Sequence, residues 1–167
     1  FNHEHPSYYY VKSLLKFFAL NGFELFDVSR NDIKGGSIRC HVQKQPGSKV
    51  VSAAVAEFIT REEKIGLDNI ETYQSLRNHI DSTRDQFKKI LSNLPEGASV
   101  ASYGTSIGAT VFTYQYEIGQ YINYFIDDDP ARHGLKTPGY HIPVYSSDKI
   151  NTDNPDYVII TAPLYAD

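Results

Sequence analysis

A chain of 167 residues, 41% apolar and 22% charged, has enough material for one compact domain, or for a small domain joined to part of another. Its net charge of −4 argues against a broad nucleic-acid footprint, which needs a basic face, and no stretch approaches the roughly 18 uninterrupted apolar residues of a membrane span. A single cysteine, Cys40, excludes an internal disulfide and an all-cysteine zinc site, and it reads as a strand thiol in a reducing cytoplasm.

The chain opens on Phe1-Asn2-His3-Glu4-His5, two imidazoles bracketing a carboxylate, and it contains no methionine. This reads as the middle of an active-site motif, so an upstream portion is expected to be missing. Ser7 is placed to cap a helix whose apolar positions Val11, Leu14, Leu15, Phe18 and Leu20 form one stripe, stopped by Asn21-Gly22. Phe23–Val28 and Ser37–Val42 read as strands joined through Lys34-Gly35-Gly36, a connection too short for a parallel crossover, so the pair is antiparallel. Gln45-Pro46-Gly47-Ser48 marks the expected boundary, giving parts 1–45 and 46–167.

Beyond it, helices are predicted over about 52–64 and 69–94, the second with Ile70, Tyr73, Leu76, Ile80, Phe87 and Leu91 on one side. Ser99–Tyr103 is then a short strand, Gly104–Gly108 a small-residue turn, and Ala109–Ile118 a helix. Strands follow at Tyr121–Ile126, His141–Tyr145 and Asp156–Thr161. The consecutive Val158-Ile159-Ile160 predicts a strand buried on both faces. Strand, turn, helix, strand begins an open, mostly parallel, Rossmann-like α/β sheet flanked by helices.

Chemistry concentrates at few places. The turn Gly104-Thr105-Ser106-Ile107-Gly108 sits where a strand hands over to a helix, and its free amides suit a diphosphate, although a tight turn that needs glycine explains it equally. It has neither the dinucleotide fingerprint nor the P-loop lysine. Asp127, at the end of the next strand, stands where a ribose diol is often received; with Asp128 and Asp129 it also suits a turn before Pro130. Lys136 is either a phosphate-neutralising cation or a solvated loop lysine. His41, His79 and His133 read as structural or solvent-facing, and no spacing makes a metal site. His3-Glu4-His5 is either a polar chain end or a base with its helper carboxylate.

Read together, these segments resemble the sugar C-methyltransferase family. The H-E-H-P-S-Y-Y segment, the amphipathic helix, Gly22–Arg30 and Gly35–Val42 are similar to the last helix and closing antiparallel hairpin of a class I S-adenosylmethionine methyltransferase domain. Val55-Ala56-Glu57, Glu62-Glu63, Gly66-Leu67, Tyr103–Thr110, Asp127–Pro130, Gly134–Pro143 and Pro155–Ile160 resemble the family's C-terminal domain, so the likeness covers essentially the whole chain.

The resemblance implies a transferase that methylates a carbon of a keto-deoxysugar carried on a nucleotide diphosphate. S-adenosylmethionine would be the donor, and zinc would lie in a further N-terminal segment. It implies that His5 is the base and Glu4 its helper. Asn2 stands where the family has a tyrosine, which bears on substrate scope. Tyr103, Gly104, Thr105, Ser106 and Gly108, with Asp127 and Lys136, would hold the nucleotide sugar. Without a donor pocket or an upstream methyltransferase domain, the isolated chain is expected to be inactive, with no cofactor or metal of its own. Two other readings stay open: a non-catalytic nucleotide- or coenzyme-binding module, and an interaction scaffold.

Overall fold

The computed structural model describes residue 5, residues 7–33 and residues 36–161. They divide into two compact units: Ser7–Arg77, and residue 5 together with the residues from Asn78 onward. Mixed α/β structure, with a parallel sheet flanked by helices and a separate antiparallel hairpin, agrees with the expected fold class.

In the first unit, helix α1 (Val11–Leu20) leads into strands β1 (Phe23–Asn31) and β2 (Ser37–Lys44), paired antiparallel from Phe23 opposite Lys44 to Asn31 opposite Ser37. A two-stranded hairpin is marginal alone. Here α1 and helix α2 (Ala53–Ile65) pack on it, and Val11, Leu25, Val28 and Val55 form the core with Phe18, Cys40, Phe58 and Ile59 around it. Burial, reinforced by the charge of Glu62, pushes the Cys40 thiol pKa up, as befits an inert strand thiol. Leu20, counted with the apolar stripe, is exposed instead.

Two sequence expectations change here. The α1 cap is Tyr10, not Ser7. A carboxylate from α2 completes the helix start: Glu62 accepts the amide of Val11 at 2.6 Å and that of Lys12 at 2.9 Å. Glu62 is buried, and an anion at a helix N-terminus satisfies two amides that helix geometry leaves unpaired. The expected boundary at Pro46 also differs from the observed division, because α2 belongs with the hairpin. Ser52 ties its start to β1, with its amide on the Phe26 carbonyl and its hydroxyl on Asp27.

Glu62→Ala is expected to strip both amides of their acceptor and to destabilise this unit by about 1–3 kcal/mol. Glu62→Gln, which keeps one acceptor oxygen, should lose less. Urea melts followed by circular dichroism would check this order, and equal melts for Ala and wild type would show the cap to be dispensable.

Helix α3 (Ile70–Ser92) runs from the first unit into the second. The second unit then has strand β3 (Val100–Tyr103), helix α4 (Ile107–Gln115), strand β4 (Tyr124–Asp127), strand β5 (Val144–Ser146), a short helix α5 (Lys149–Asp153) and strand β6 (Tyr157–Ile160). The pairings among these four strands are parallel and their order is β5-β4-β3-β6. Leu91, Ala109, Ile118, Ile122, Phe125, Ile142 and Val144 pack one face beneath α3 and α4. Ala101, Tyr124 and Ile126, with Ile150 of α5, pack the other.

Strand β6 departs from the expectation of burial on both faces. It is an edge strand in which Tyr157, Val158 and Ile160 are exposed. Its apolar run fits an edge as well as a centre, because a run of this kind cannot report its position in the sheet.

Candidate functional site

The sheet reverses direction at β3. The chain moves from β3 through α4 to β4 on one side, and returns after β5 and α5 to place β6 on the other. In open α/β sheets, ligands bind outside the carboxyl ends of the strands at such a switch point. The turn at 104–108 lies there. Gly104 extends the ladder, with its amide on the Ile126 carbonyl at 2.8 Å, and then turns at φ +95°, a conformation that a side chain disfavours. Ser106 caps α4 by accepting the Ala109 amide at 3.2 Å. The amides of Ile107 and Gly108, the first two positions of α4, have no intrahelical acceptor by geometry. Thr161, just past β6, anchors the turn by donating its hydroxyl to the carbonyls of Tyr103 and Gly104 at 2.7 and 2.8 Å.

Asp127 organises the turn from the end of β4. Its Oδ2 accepts the Thr105 amide at 2.8 Å, the Thr105 hydroxyl, and Arg132 Nη1 at 3.0 Å, while Oδ1 accepts the Asp129 amide at 3.0 Å. Arg132 also reaches the Thr105 hydroxyl at 3.1 Å, and His133 Nε2 lies 2.8 Å from the Asp127 carbonyl. Burial alone would raise the Asp127 pKa. The bonds from Thr105 and Asp129 and the charge of Arg132 outweigh it and hold the pKa at about 2.

Beside it, Tyr103 donates its hydroxyl to Asp128. That bond, with one from Ser147, lowers the Asp128 pKa, and the same bond, with burial, raises that of Tyr103.

Tyr103, Gly104, Thr105, Ser106, Gly108 and Asp127 are therefore brought together. The part expected of Asp127 changes: its carboxylate is buried and bonded to four donors, so it shapes the turn rather than standing open to a ribose diol. Among the described residues Lys136 makes no hydrogen bond or ion pair with the turn. Residues 134–137 return antiparallel along the outer side of β5, with Lys136 beside Pro143 and the Gly134 amide on the Val144 carbonyl. Its neighbours Thr137 and Pro138, in contrast, line a small pocket together with Thr105 and Ala109. The cation at the turn is Arg132, which sequence reasoning missed. The Asp127–Arg132 spacing of five carried a signal, because Pro130 starts a 3-10 turn over Pro130–Arg132 that swings the guanidinium back to the acid.

His5 is exposed. Asn2 and Glu4 lie outside the described residues. Among the described residues no group of three or more His, Cys, Asp or Glu is arranged to hold a metal ion, and no helix is long and apolar enough to cross a membrane.

Residues 32–167 match a family described as the C-methyltransferase C-terminal domain. The chain is also similar to the C-methyltransferase NovU of Streptomyces niveus, at 29% identity over 166 residues, which is 98% of this chain and 40% of that protein. The chain thus spans about 40% of the length of that curated relative. The match takes in β2, the whole of the parallel sheet and its glycine turn, and on that extent the chain belongs to the C-methyltransferase C-terminal domain family.

Proposed function

We propose that this chain is the nucleotide-sugar-binding portion of an S-adenosylmethionine-dependent C-methyltransferase that acts on a keto-deoxysugar nucleotide, and that it is inactive by itself. The family and the relative's name support methyl transfer to carbon as the reaction of the whole protein. The observation that carries the binding role is the turn at the switch point: two helix-start amides, a glycine without a side chain to block approach, and Arg132 beside them.

The methyl donor does not fit this turn. An acid free to receive its ribose would be needed at the end of β4, and Asp127 is committed to Thr105, Asp129 and Arg132. The donor, and the zinc implied by the resemblance, belong in this reading to an upstream methyltransferase domain and its N-terminal segment.

Chemically, a base would take the proton from the carbon next to the ketone, and the bound donor would supply its methyl to the enolate carbon as its sulfur–methyl bond breaks and S-adenosylhomocysteine leaves. His5 is the proposed base and Glu4 its helper, with Asn2 in place of tyrosine beside the reacting sugar. The turn's contribution is to fix the diphosphate, so that the reacting carbon is held in place.

Titration calorimetry with thymidine and uridine diphosphate sugars tests the binding role. Gly104→Val is expected to abolish binding, but its positive φ also strains the fold. Gly108→Leu is the cleaner variant: a Cβ there lies 3.4 Å from Ser106 Oγ, so the helix start accommodates it while the side chain covers the amides. Loss of binding in a Gly108→Leu protein with an unchanged melt would support the site. Wild-type affinity would remove the turn from it. A methyl-transfer assay on the longer protein separates an enzyme from a plain nucleotide-binding module.

A further inference from the structure

The hairpin unit carries a cleft of about 370 Å³, within the size range of small-molecule sites. Its lining comes from the chain ahead of α1, the open end of the hairpin and α2. Ile38, Phe58, Ile65 and Leu67 make an apolar floor, with Tyr9 beside it. Ile38, Ile65 and Tyr9 are exposed, which leaves apolar surface open to water. Arg30 from β1 and Arg61 from α2 also line the cleft. Neither guanidinium has a carboxylate partner among the described residues, whereas Arg84 and Arg132 are both ion-paired.

The acids near the cleft are engaged elsewhere. Glu62, the one acid in the lining, turns both oxygens onto the amides of Val11 and Lys12. Asp68, next to Leu67, accepts the Tyr10 hydroxyl at 2.7 Å and Lys12 Nζ at 2.6 Å, and Glu63 accepts Lys12 Nζ at 2.9 Å.

Charge and shape together select a ligand. Two guanidiniums against the single carboxylate of Glu62 leave the lining with one net positive charge, which matches a monoanion better than a diphosphate. Guanidinium holds a carboxylate through two parallel donors. An ammonium group would meet no free acid here, so a zwitterionic amino acid fits poorly. The floor offers no polar partner, and it suits a flat ring packed on aromatic and aliphatic side chains. We propose that this cleft binds an aromatic carboxylic acid without an amino group, its carboxylate on Arg30 and Arg61 and its ring on Phe58 and Tyr9. The site goes beyond the function proposed above: its ligand is neither the nucleotide sugar nor the methyl donor, and it needs nothing from the turn at 104–108.

Titration calorimetry of the 167-residue chain tests it with four probes: naphthoate, the uncharged naphthylmethanol, the zwitterion naphthylalanine, and acetate. Naphthoate should bind saturably. The other three should bind about tenfold or more weakly, since each lacks the free charge or the ring, or adds an unmatched ammonium. The side chains of Arg30 and Arg61 are exposed, so Arg30→Gln/Arg61→Gln should keep the wild-type melt and lose about tenfold or more in naphthoate affinity. The comparison of naphthoate with naphthylmethanol is made on the wild-type chain and stands whatever the variant does. Gly108→Leu should leave naphthoate affinity unchanged, which separates this site from the turn. The proposal is overturned if naphthoate does not saturate, if naphthylmethanol or acetate binds as tightly, if a folded arginine double variant binds as wild type does, or if Gly108→Leu abolishes binding.

Discussion

Asp127→Ala should lower the stability of the sheet unit by about 3 kcal/mol, the largest loss expected from any single substitution at the turn. The change leaves the amides of Thr105 and Asp129 and the Thr105 hydroxyl without their acceptor, and Arg132 with Asp129 as its remaining carboxylate partner. Arg132 is half exposed and can turn to water, which places the loss at the lower end of what breaking a buried ion pair costs.

The same carboxylate predicts an acid limb. Its folded pKa, about 2, lies below the ordinary aspartate value near 3.9. A depressed pKa contributes stability that is fully present above the unfolded value and is lost as pH falls through the folded one. Between roughly pH 4 and pH 2 the unit should therefore lose about 2 kcal/mol from this group. Asp127→Asn keeps the shape and removes the titration, so its stability should vary less over that window. Urea melts from pH 5 to pH 2 compare the two. An identical acid slope in Asp127→Asn would mean that another carboxylate governs it.

The order of elements was legible because its signals are local. Small residues after a strand, Gly104 at a positive φ and a serine at a helix start all speak from neighbouring positions. The antiparallel hairpin followed from the shortness of its connection. What failed depended on tertiary placement. Ser7 had the chemistry of a cap, but Glu62, some fifty residues away, supplies the acceptor. Lys136 looked like the phosphate cation because it follows the strand in sequence; the register carries it to the far side of β5. Asp127 was the right residue with a different task, because its donors come from the turn at Thr105 and from the loop of Asp129 and Arg132. Val158-Ile159-Ile160 predicted a central strand, and strand order, which no local pattern encodes, made it an edge.

The largest expected effect on catalysis is that of His5→Ala, in a protein that carries this chain together with a cofactor-binding methyltransferase domain. Removing a carbon-bound proton beside a ketone needs a base that is neutral at working pH and close to the substrate, and imidazole meets the first condition as a class. His5 lies ahead of α1, outside both helix and strand, and is exposed. A carboxylate next to the base favours the imidazolium that forms, which is the part proposed for Glu4. Loss of a general base costs roughly 10²–10⁴ in kcat. His5→Ala should therefore fall by that factor with little change in nucleotide-sugar affinity, because the proposed base acts on the reacting carbon and the proposed diphosphate site lies at the turn. Exchange of the substrate's α-hydrogen with deuterated solvent gives a readout that a folding defect does not mimic. The wild-type protein should wash deuterium into the carbon next to the ketone, and His5→Ala with an unchanged melt should not. Near-normal turnover and exchange in His5→Ala would assign the proton transfer to another residue.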